Sequence, residues 1–564
     1  MTLNKPISFL ARHRSLAILN AVYAAAGLLW IILIPYNNAP DENTHFHYSV
    51  EFIISHHRLP VWGVDDLERF RHALSSYNQM PALNYLAYAA GGALANKVFG
   101  LEIYLGARLV SLAWGLVFLN CLFLAVLALC RNKRNALIMT AAVAFIPQVF
   151  FTFCYVNADA HSLAIAAVFW LFLVRFLNRQ SVADIICAGA AAGLLFSAKY
   201  NYYIYFPCMA GIVLWAATRG AVTWKSVWRL VLAAGVLSLL ISGYWFIRNW
   251  ILYGTPLPIL MSEEFFQSIG LAREIRPVNR GVSLSSLLWL FEQGFTLSTF
   301  DSFFAVFGYL NVGFHPWVYT LLEMAVPALL ACFMLGVLLT RDRPARLVLL
   351  AMLALAAVVM ALHAWACLTY DYQPQGRYNF TILLPAALFC GWAISRLAAL
   401  KKYAVIFMAI MLCLFAASNL LVWRTYSAPV EFTISQAGQD GYYAKLSPPA
   451  YAAERTMQNY YATGKITPRG GAAQAFMIEF SGNFLARYRD FKLELEEEGR
   501  VKTIDIASWP STVPVRNVRL EAALNAVEAT GKRGLFTISL PESYLAGSLR
   551  ITCRIENRRP YDME

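Results

Sequence analysis

The chain has 564 residues, 59% hydrophobic and 14% charged, with a mean hydropathy of +0.52. That is too apolar for a soluble globular protein and implies a polytopic α-helical membrane protein. The formal net charge of +13 lies in short basic clusters between apolar runs, the pattern that sets membrane topology rather than a continuous face for nucleic acid, which is excluded as a partner. The ten cysteines are scattered, mostly inside apolar runs and without metal-ligand spacing, and read as small packing residues.

The first apolar run, about Ser15 to Pro35, follows Lys5, Arg12 and Arg14 and reads as an uncleaved span whose basic N-terminal side is cytoplasmic. A polar outer loop follows, to about Met80, with helical periodicity through Phe46, Val50, Phe52, Ile53 and Ile54 that predicts one or two interfacial helices. Pro81 to Phe99 could be a span or an interfacial helix. Treating it as interfacial lets Tyr104 to Cys130 deliver the basic cluster Arg131, Asn132, Lys133 and Arg134 to the inside. The remaining spans then alternate: about 136–153, 160–177, 183–198, 202–217 and 229–247, an external segment over 248–316, then 317–339, 346–366, 379–397 and 403–423. The total is about eleven, and the chain after 423 lies outside.

From about Arg424 the composition becomes that of a soluble domain, so the expected division is 1–423 for the transmembrane module and 424–564 for an extracytoplasmic β-rich domain. A helix is expected over Pro449 to Ala462, and alternation predicts strands over Gln474–Phe480, Phe491–Leu495, Val501–Ile506, Val513–Leu520, Gly534–Leu540 and Leu549–Glu556. A β-sandwich or jelly-roll-like module fits that pattern.

This topology sends nearly every unusual polar cluster to the outer face: Asp41, Glu42 and His45; Asn157, Asp159 and His161; Lys199 with Tyr200; Arg248 with Asn249; Asp301; His315; and Asp371 through Tyr378. Such convergence points to one external site at the membrane surface, although loops are polar in any membrane protein. Asp41, flanked by Pro40, is placed to accept the proton of an attacking hydroxyl, with Glu42 in support and Asp159 as a second carboxylate. Asp41 and Asp159 with His45 nearby could share a divalent cation, Mg²⁺ or Mn²⁺. Arg377, Lys199 and Arg248 stand at the ends of three spans, where a lipid phosphate would sit, and would neutralise it as a leaving group. Snorkelling toward headgroups is the alternative for each. The glycine of Gln375-Gly376-Arg377-Tyr378 would let the backbone approach a ligand. His45, Asn157, Tyr200, Gln375 and Tyr378 complete the set as candidate substrate-binding residues.

The stretch Pro40-Asp41-Glu42-Asn43-Thr44-His45, the later Leu59-Pro60, and Gln79-Met80-Pro81-Ala82-Leu83-Asn84-Tyr85 resemble the first external loop of the GT-C superfamily, membrane glycosyltransferases that use polyprenyl-phosphate-linked sugars. The resemblance continues in order through Val156-Asn157-Ala158-Asp159, Ser197-Ala198-Lys199-Tyr200, Arg248 to Gly254, Phe307-Gly308-Tyr309 and Gln375 to Tyr378, covers about residues 1–423, and is closest to a bacterial subgroup. Relatives often carry two prolines where this chain has Met80-Pro81. The resemblance implies a GT-C-like fold in a bacterial inner membrane, with Asp41 as catalytic base or metal-associated carboxylate and Asp159 as the second acidic site. It also implies inverting transfer from a polyprenyl-phosphate sugar to a glycan, glycolipid or protein acceptor, and a carbohydrate-binding role for the C-terminal domain. A secondary transporter and a non-catalytic envelope-assembly or polysaccharide-binding protein are the alternatives. A transporter would place ionisable residues near mid-membrane and show paired broken helices.

Overall fold

The computed structural model describes residues 14–34, 36, 38–66, 77–261, 278, 280–308, 310 and 312–427, and beyond these a set of strands between 430 and 555. The expected helix over Pro449 to Ala462 lies outside the described residues. The chain divides into two compact units, one made of Met1–Ile31, Asp41–Val306 and Trp317–Ser418, the other of Ile32–Pro40, Phe307–Pro316 and Asn419–Glu564.

The longer helices lying wholly or mostly in the first unit are, in chain order, α1 (Arg14–Leu33), α2 (Leu83–Phe99), α3 (Ile103–Cys130), α4 (Lys133–Ala144), α5 (Pro147–Thr152), α6 (Ala158–Arg179), α7 (Val182–Leu195), α8 (Tyr205–Thr218), α9 (Trp224–Tyr253), α10 (Leu284–Glu292) and α11 (Phe295–Phe304). There follow α12 (Pro316–Leu339), α13 (Arg343–Thr369), α14 (Leu383–Arg396), entered through a 3₁₀ turn over Gly376–Ile382, and α15 (Lys401–Ser427). Among the described residues, eight helices are long and apolar enough to cross a membrane: α1, α3, α6, α9, α12, α13, α14 with its 3₁₀ entry, and α15.

The expectation of about eleven spans exceeds this by three segments. The expected span at 136–153 is broken where Ile146 turns extended (φ −61°, ψ 119°) before Pro147, because the proline ring disfavours helical backbone in the residue ahead of it. Its first piece, α4, has 12 residues and so a length of about 18 Å against a hydrocarbon thickness of about 30 Å. The segments at 183–198 and 202–217 form α7 and α8, each of 14 residues, or about 21 Å. The ambiguous run ahead of Gly100 forms the 17-residue α2, which is not among the eight.

Packing in this unit relies on close helix approach. A Cβ on Gly189 or Gly193 of α7 would come within 2.9 Å of α9 backbone at Ala233 and Leu237, the small-xxx-small contact that lets two membrane helices touch. Ser242 Oγ of α9 donates to the Gly193 carbonyl at 2.7 Å across the same seam. The central helix α6 is enclosed on nearly all sides. Around α1, α5 and α15, the rings of Tyr23, Trp30, Phe145, Phe150 and Phe415 meet edge to face, the arrangement their quadrupoles favour.

The loop after α1 is helical from Glu42 to His56, with a π-helical stretch at Phe46–Glu51. Its start is fixed by a buried ion pair. Glu42 accepts from Arg108 of α3 through both carboxylate oxygens, from Nε at 2.7 Å and from Nη2 at 2.6 Å. Arg108 Nη1 donates to the Ile31 carbonyl at the end of α1 at 3.0 Å, and the Val156 N–H donates to Glu42 at 3.3 Å. Both side chains are 0% exposed. Further along, Asp66 accepts from Asn78, which in turn accepts from Ser49, closing the loop on itself.

In the second unit, strands pair antiparallel in the order Arg500–Asp505, Tyr488–Glu497, Leu549–Ile555, Val430–Gln436, Tyr442–Ser447, Thr463–Pro468, Ala475–Ser481, Leu535–Pro541, Val527–Lys532 and Val518–Leu520. These pairings run in one continuous order rather than as two separate sheets.

Removing one partner of the enclosed pair leaves an uncompensated charge in a dry environment. Glu42→Gln should therefore destabilise the protein by about 3–5 kcal/mol, read as a lower apparent unfolding midpoint of the purified full-length chain in detergent. The double variant Glu42→Gln/Arg108→Met should recover part of the loss.

Candidate active site

Asp41 immediately precedes the anchored glutamate and has left-handed backbone, φ 61° and ψ 9°. Few residues other than glycine hold that conformation, aspartate and asparagine being the usual exceptions. Its side chain is 36% exposed, and Oδ2 accepts from Arg377 Nη2 at 2.8 Å. Burial opposes ionisation of Asp41, but the Arg377 guanidinium, nearby His45 and hydrogen bonds from Arg377 and Tyr77 outweigh it, holding the carboxyl below the usual carboxylate range.

Arg377 is 6% exposed and sits in the 3₁₀ entry to α14. Gly376 seats it: a Cβ there would lie 2.2 Å from the Phe303 nitrogen of α11, and the Gly376 N–H donates to Ser302 Oγ at 2.8 Å. The glycine is thus required by helix packing, not by the approach to a ligand that the sequence led us to expect. Arg377 Nη1 reaches Tyr155 Oη at 3.4 Å, and its Nε is buried without a hydrogen-bond partner.

A second carboxylate–cation pair lies alongside. Asp159 is in the first turn of α6, whose amide ends favour negative charge. Lys199 Nζ stands 3.2 Å from both of its oxygens, with side-chain exposures of 14% for the lysine and 3% for the aspartate. The Tyr378 ring connects the two pairs, with Lys199 Nζ 5.1 Å and Arg377 Cζ 5.6 Å from its centroid. These contacts bring the loop after α1, the start of α6, the segment after α7 and the 3₁₀ entry to α14 together, independently of how many segments cross the bilayer.

His45 closes this side of the site within an aromatic layer. Its ring stacks on Tyr77 at 4.1 Å and 16°, and Nδ1 bonds the Tyr85 hydroxyl at 2.8 Å. Burial pushes its pKa down to about 3, so the imidazole is neutral at pH 7.

Other candidates serve as framework. Glu42, grouped by sequence with the catalytic carboxylates, is sealed against Arg108 and has no exposed surface. Asn157, expected to touch substrate, is the N-cap of α6: its Oδ1 accepts from the Ala160 N–H at 2.8 Å and its amide donates to the Thr152 and Tyr155 carbonyls. Tyr200 donates to the Gln79 carbonyl at 2.7 Å. Arg248 donates to the Pro60 carbonyl at 2.7 Å and stacks over Trp245, so it ties the loop after α1 to α9. Gln375 is half-buried, with Oε1 lacking a hydrogen-bond partner. Asp301 is buried in α11, His161 is buried edge-on to Trp114, and His315 falls in the second unit.

The expected Mg²⁺ or Mn²⁺ site is not formed. Among the described residues, no three His, Cys, Asp or Glu side chains are grouped to hold a metal ion. Asp41 and Asp159 are each neutralised by a cationic side chain, and His45 spends Nδ1 on Tyr85. The residues present do not fit a shared cation.

Two contributors were missed by sequence reasoning. Arg108 is one. The other is His363 in α13, whose Nδ1 accepts from Asn379 Nδ2 at 3.1 Å while Nε2 donates to the Gln373 carbonyl at 2.9 Å. Gln373 in turn accepts from the Tyr378 hydroxyl through its side-chain carbonyl. Each was visible as an ionisable residue inside an apolar run, the usual sign of a functional or structural bond in a membrane segment.

The family model described as "Predicted membrane protein (DUF2142)" matches residues 69–386. The chain belongs to that family. The DUF2142 match covers α2 through the start of α14 and so contains Asp159, Lys199 and Arg377, while Asp41 lies ahead of it. Among solved structures, this DUF2142 protein is similar to ArnT from Cupriavidus metallidurans bound to undecaprenyl phosphate, at 17% identity over 73% of this chain and 65% of that one, TM-score 0.45. It is also similar to the Archaeoglobus fulgidus oligosaccharyltransferase in complex with Zn and sulfate (16% identity, 71% of this chain, 52% of that one, TM-score 0.42). A third is the arabinosyltransferase EmbB from Mycobacterium smegmatis (9%, 97% and 65%, TM-score 0.36). The chain spans less than two thirds of the length of each. No curated protein sequence matches it.

His45 should stay neutral through the range in which an ordinary imidazole titrates. Nitrogen chemical shifts of the histidine-labelled protein, compared with a His45→Gln variant to assign the signal, should show no protonation of His45 between pH 8 and about pH 4.

Proposed function

We propose that this protein is an inverting glycosyltransferase of GT-C type, moving a sugar from a polyprenyl-phosphate donor to an acceptor hydroxyl on a glycan, glycolipid or protein at the outer face of a bacterial inner membrane. The observation that carries the reading is the pairing of a half-exposed carboxylate, Asp41, with the fixed guanidinium of Arg377, beside the Asp159–Lys199 pair. The ordered motifs from Pro40 to Tyr378 add to it. With the N-terminus cytoplasmic, and with the broken α4–α5 segment and the short α7 and α8 completing three crossings beside the eight long helices, residues 1–423 form the transmembrane module, and 424–564 a β-rich domain on the outer side that engages carbohydrate.

Chemically, the lipid tail lies in the bilayer and its phosphate meets Arg377, with Lys199 across the Tyr378 ring. A guanidinium binds phosphate through parallel N–H donors and stabilises the charge that grows on the departing oxygen. The acceptor oxygen attacks the anomeric carbon from the face opposite the phosphate. Its O–C bond forms as the bond from that carbon to the phosphate oxygen breaks, and the electron pair leaves with the phosphate. The hydroxyl proton passes to the Asp41 carboxylate, which is ionised at neutral pH. Asp159 keeps Lys199 in place and balances its charge. His45, neutral and stacked on Tyr77, acts as a hydrogen-bonding wall rather than a second base. Tyr378 and Gln375 line the sugar side, the first by its ring and the second by its buried, unpartnered amide oxygen. Arg248 holds the loop at Pro60 and is retained as a site residue only through that loop.

Asp41→Asn should leave the protein folded and lower transfer of labelled sugar from polyprenyl-phosphate donors by roughly 10²–10⁴-fold, the usual worth of a general base. Transfer within a few-fold of wild type, across a donor panel that the wild type uses, removes Asp41 from the base role.

A further inference from the structure

The transfer proposed above needs a phosphate on Arg377 and a free carboxylate at Asp41, yet in the structure these two groups are bonded to each other. We propose that the Asp41 carboxylate is a built-in competitor for the lipid phosphate: the phosphate takes Arg377 from Asp41, and the same exchange releases Asp41 to act as the base. This inference rests on the reading of Arg377 as the donor-phosphate ligand.

The two ion pairs at the start of the first outer loop show why one opens and the other does not. Glu42 and Arg108 are joined by two parallel bonds, both side chains fully enclosed. Asp41 and Arg377 are joined through one oxygen and one nitrogen, and only the arginine is enclosed, at 6% exposure against 36% for the aspartate. Arg377 is fixed by the packing of Gly376 on Phe303 and by Tyr155. The aspartate is therefore the partner that moves. A partly exposed single-bond pair is worth little, and its replacement by a phosphate trades one anion for another, so the buried guanidinium is never left bare.

The exchange also arms the base. While Arg377 holds Asp41, the carboxylate is stabilised as the anion and attracts a proton weakly. Once the phosphate takes the guanidinium, that stabilisation is withdrawn and the carboxylate becomes a stronger base at the moment the donor is seated. A lipid without a phosphate cannot perform this exchange. After transfer, the protonated Asp41 no longer competes for Arg377. It regains that ability on losing its proton, and reforming the pair then displaces the lipid phosphate. The Asp159–Lys199 pair, with its carboxylate 3% exposed, remains closed throughout.

The test is equilibrium binding of undecaprenyl phosphate to the full-length protein in nanodiscs, with undecaprenol as the uncharged control. Asp41→Asn removes the competitor and keeps the size of the side chain, so it should bind the phosphate lipid about 3- to 10-fold more tightly than wild type, the worth of a partly exposed charge-assisted bond, while undecaprenol binding stays unchanged. Weaker or equal binding of the phosphate lipid by Asp41→Asn overturns the competition, and equal tightening toward both lipids overturns it as well, since that would report a loosened loop. Arg377→Lys, which keeps the charge and removes the fork, checks the underlying reading separately. If it binds the phosphate lipid as wild type does, Arg377 is not the phosphate ligand and the exchange falls with it. If it binds more weakly and Asp41→Asn shows no gain, the ligand assignment stands and only the competition is lost.

Discussion

The enclosed pair of Glu42 and Arg108 is the constraint on which the site depends. It ties four pieces of chain: the end of α1 through the Ile31 carbonyl, the loop after α1 through Glu42, α3 through Arg108, and the turn before α6 through the Val156 N–H. Desolvating two charges is expensive, and a well-packed apolar contact would hold helices together as firmly. What the pair supplies is register, because only one placement of the loop satisfies both oxygens and three arginine nitrogens at once. That placement puts Asp41 beside Arg377, and the turn it steadies carries Asn157, the cap that starts α6 two residues before Asp159.

The electrostatics follow from this framework. The site contains two carboxylates, one guanidinium, one ammonium and a neutral imidazole, and so carries no net charge. A neutral cluster can be set against a bilayer at modest cost, whereas two bare cations could not. The choice of arginine at 377 matters for the same reason, since its weakly hydrated, always-charged fork tolerates burial where an ammonium would tend to deprotonate. The aromatic layer of Tyr77, His45 and Tyr85 then excludes water on one side without adding charge.

Much of this was legible in the sequence. Composition and basic clusters gave a polytopic chain, and the eight long apolar helices all coincide with expected spans. Asp41, Asp159, Lys199 and Arg377, which the structure brings together, were grouped by an alternation that counted 136–153, 183–198 and 202–217 as spans, segments that form short or broken helices. Local rules available in the sequence were passed over elsewhere. Pro147 marks the break in 136–153, and Asn157 ahead of Ala158-Asp159 is a helix-start signature rather than a ligand contact. Gly376 was read as room for a ligand because its partner, the backbone of Phe303, is 73 positions away in the chain and no local rule reveals it. The ion pairs Asp41–Arg377 and Glu42–Arg108 are equally non-local, and only the lone arginine in an apolar run hinted at the second.

Two neighbouring acids do different work. Asp41 and Glu42 adjoin in sequence, where the first is expected as the base and the second as its support. The left-handed backbone at Asp41 turns the chain so that its side chain meets Arg377 while that of Glu42 meets Arg108. One extra methylene on Glu42 lengthens its reach into the interior, and the shorter aspartate stays at the edge, 36% exposed. The residue that tolerates left-handed backbone is thus the exposed one, and the strain of that conformation is held by the ion pair that follows it. Structural rigidity and chemical access are separated by a single peptide bond, which is why the loop can hold a carboxylate loosely on its outer side while remaining fixed beneath it.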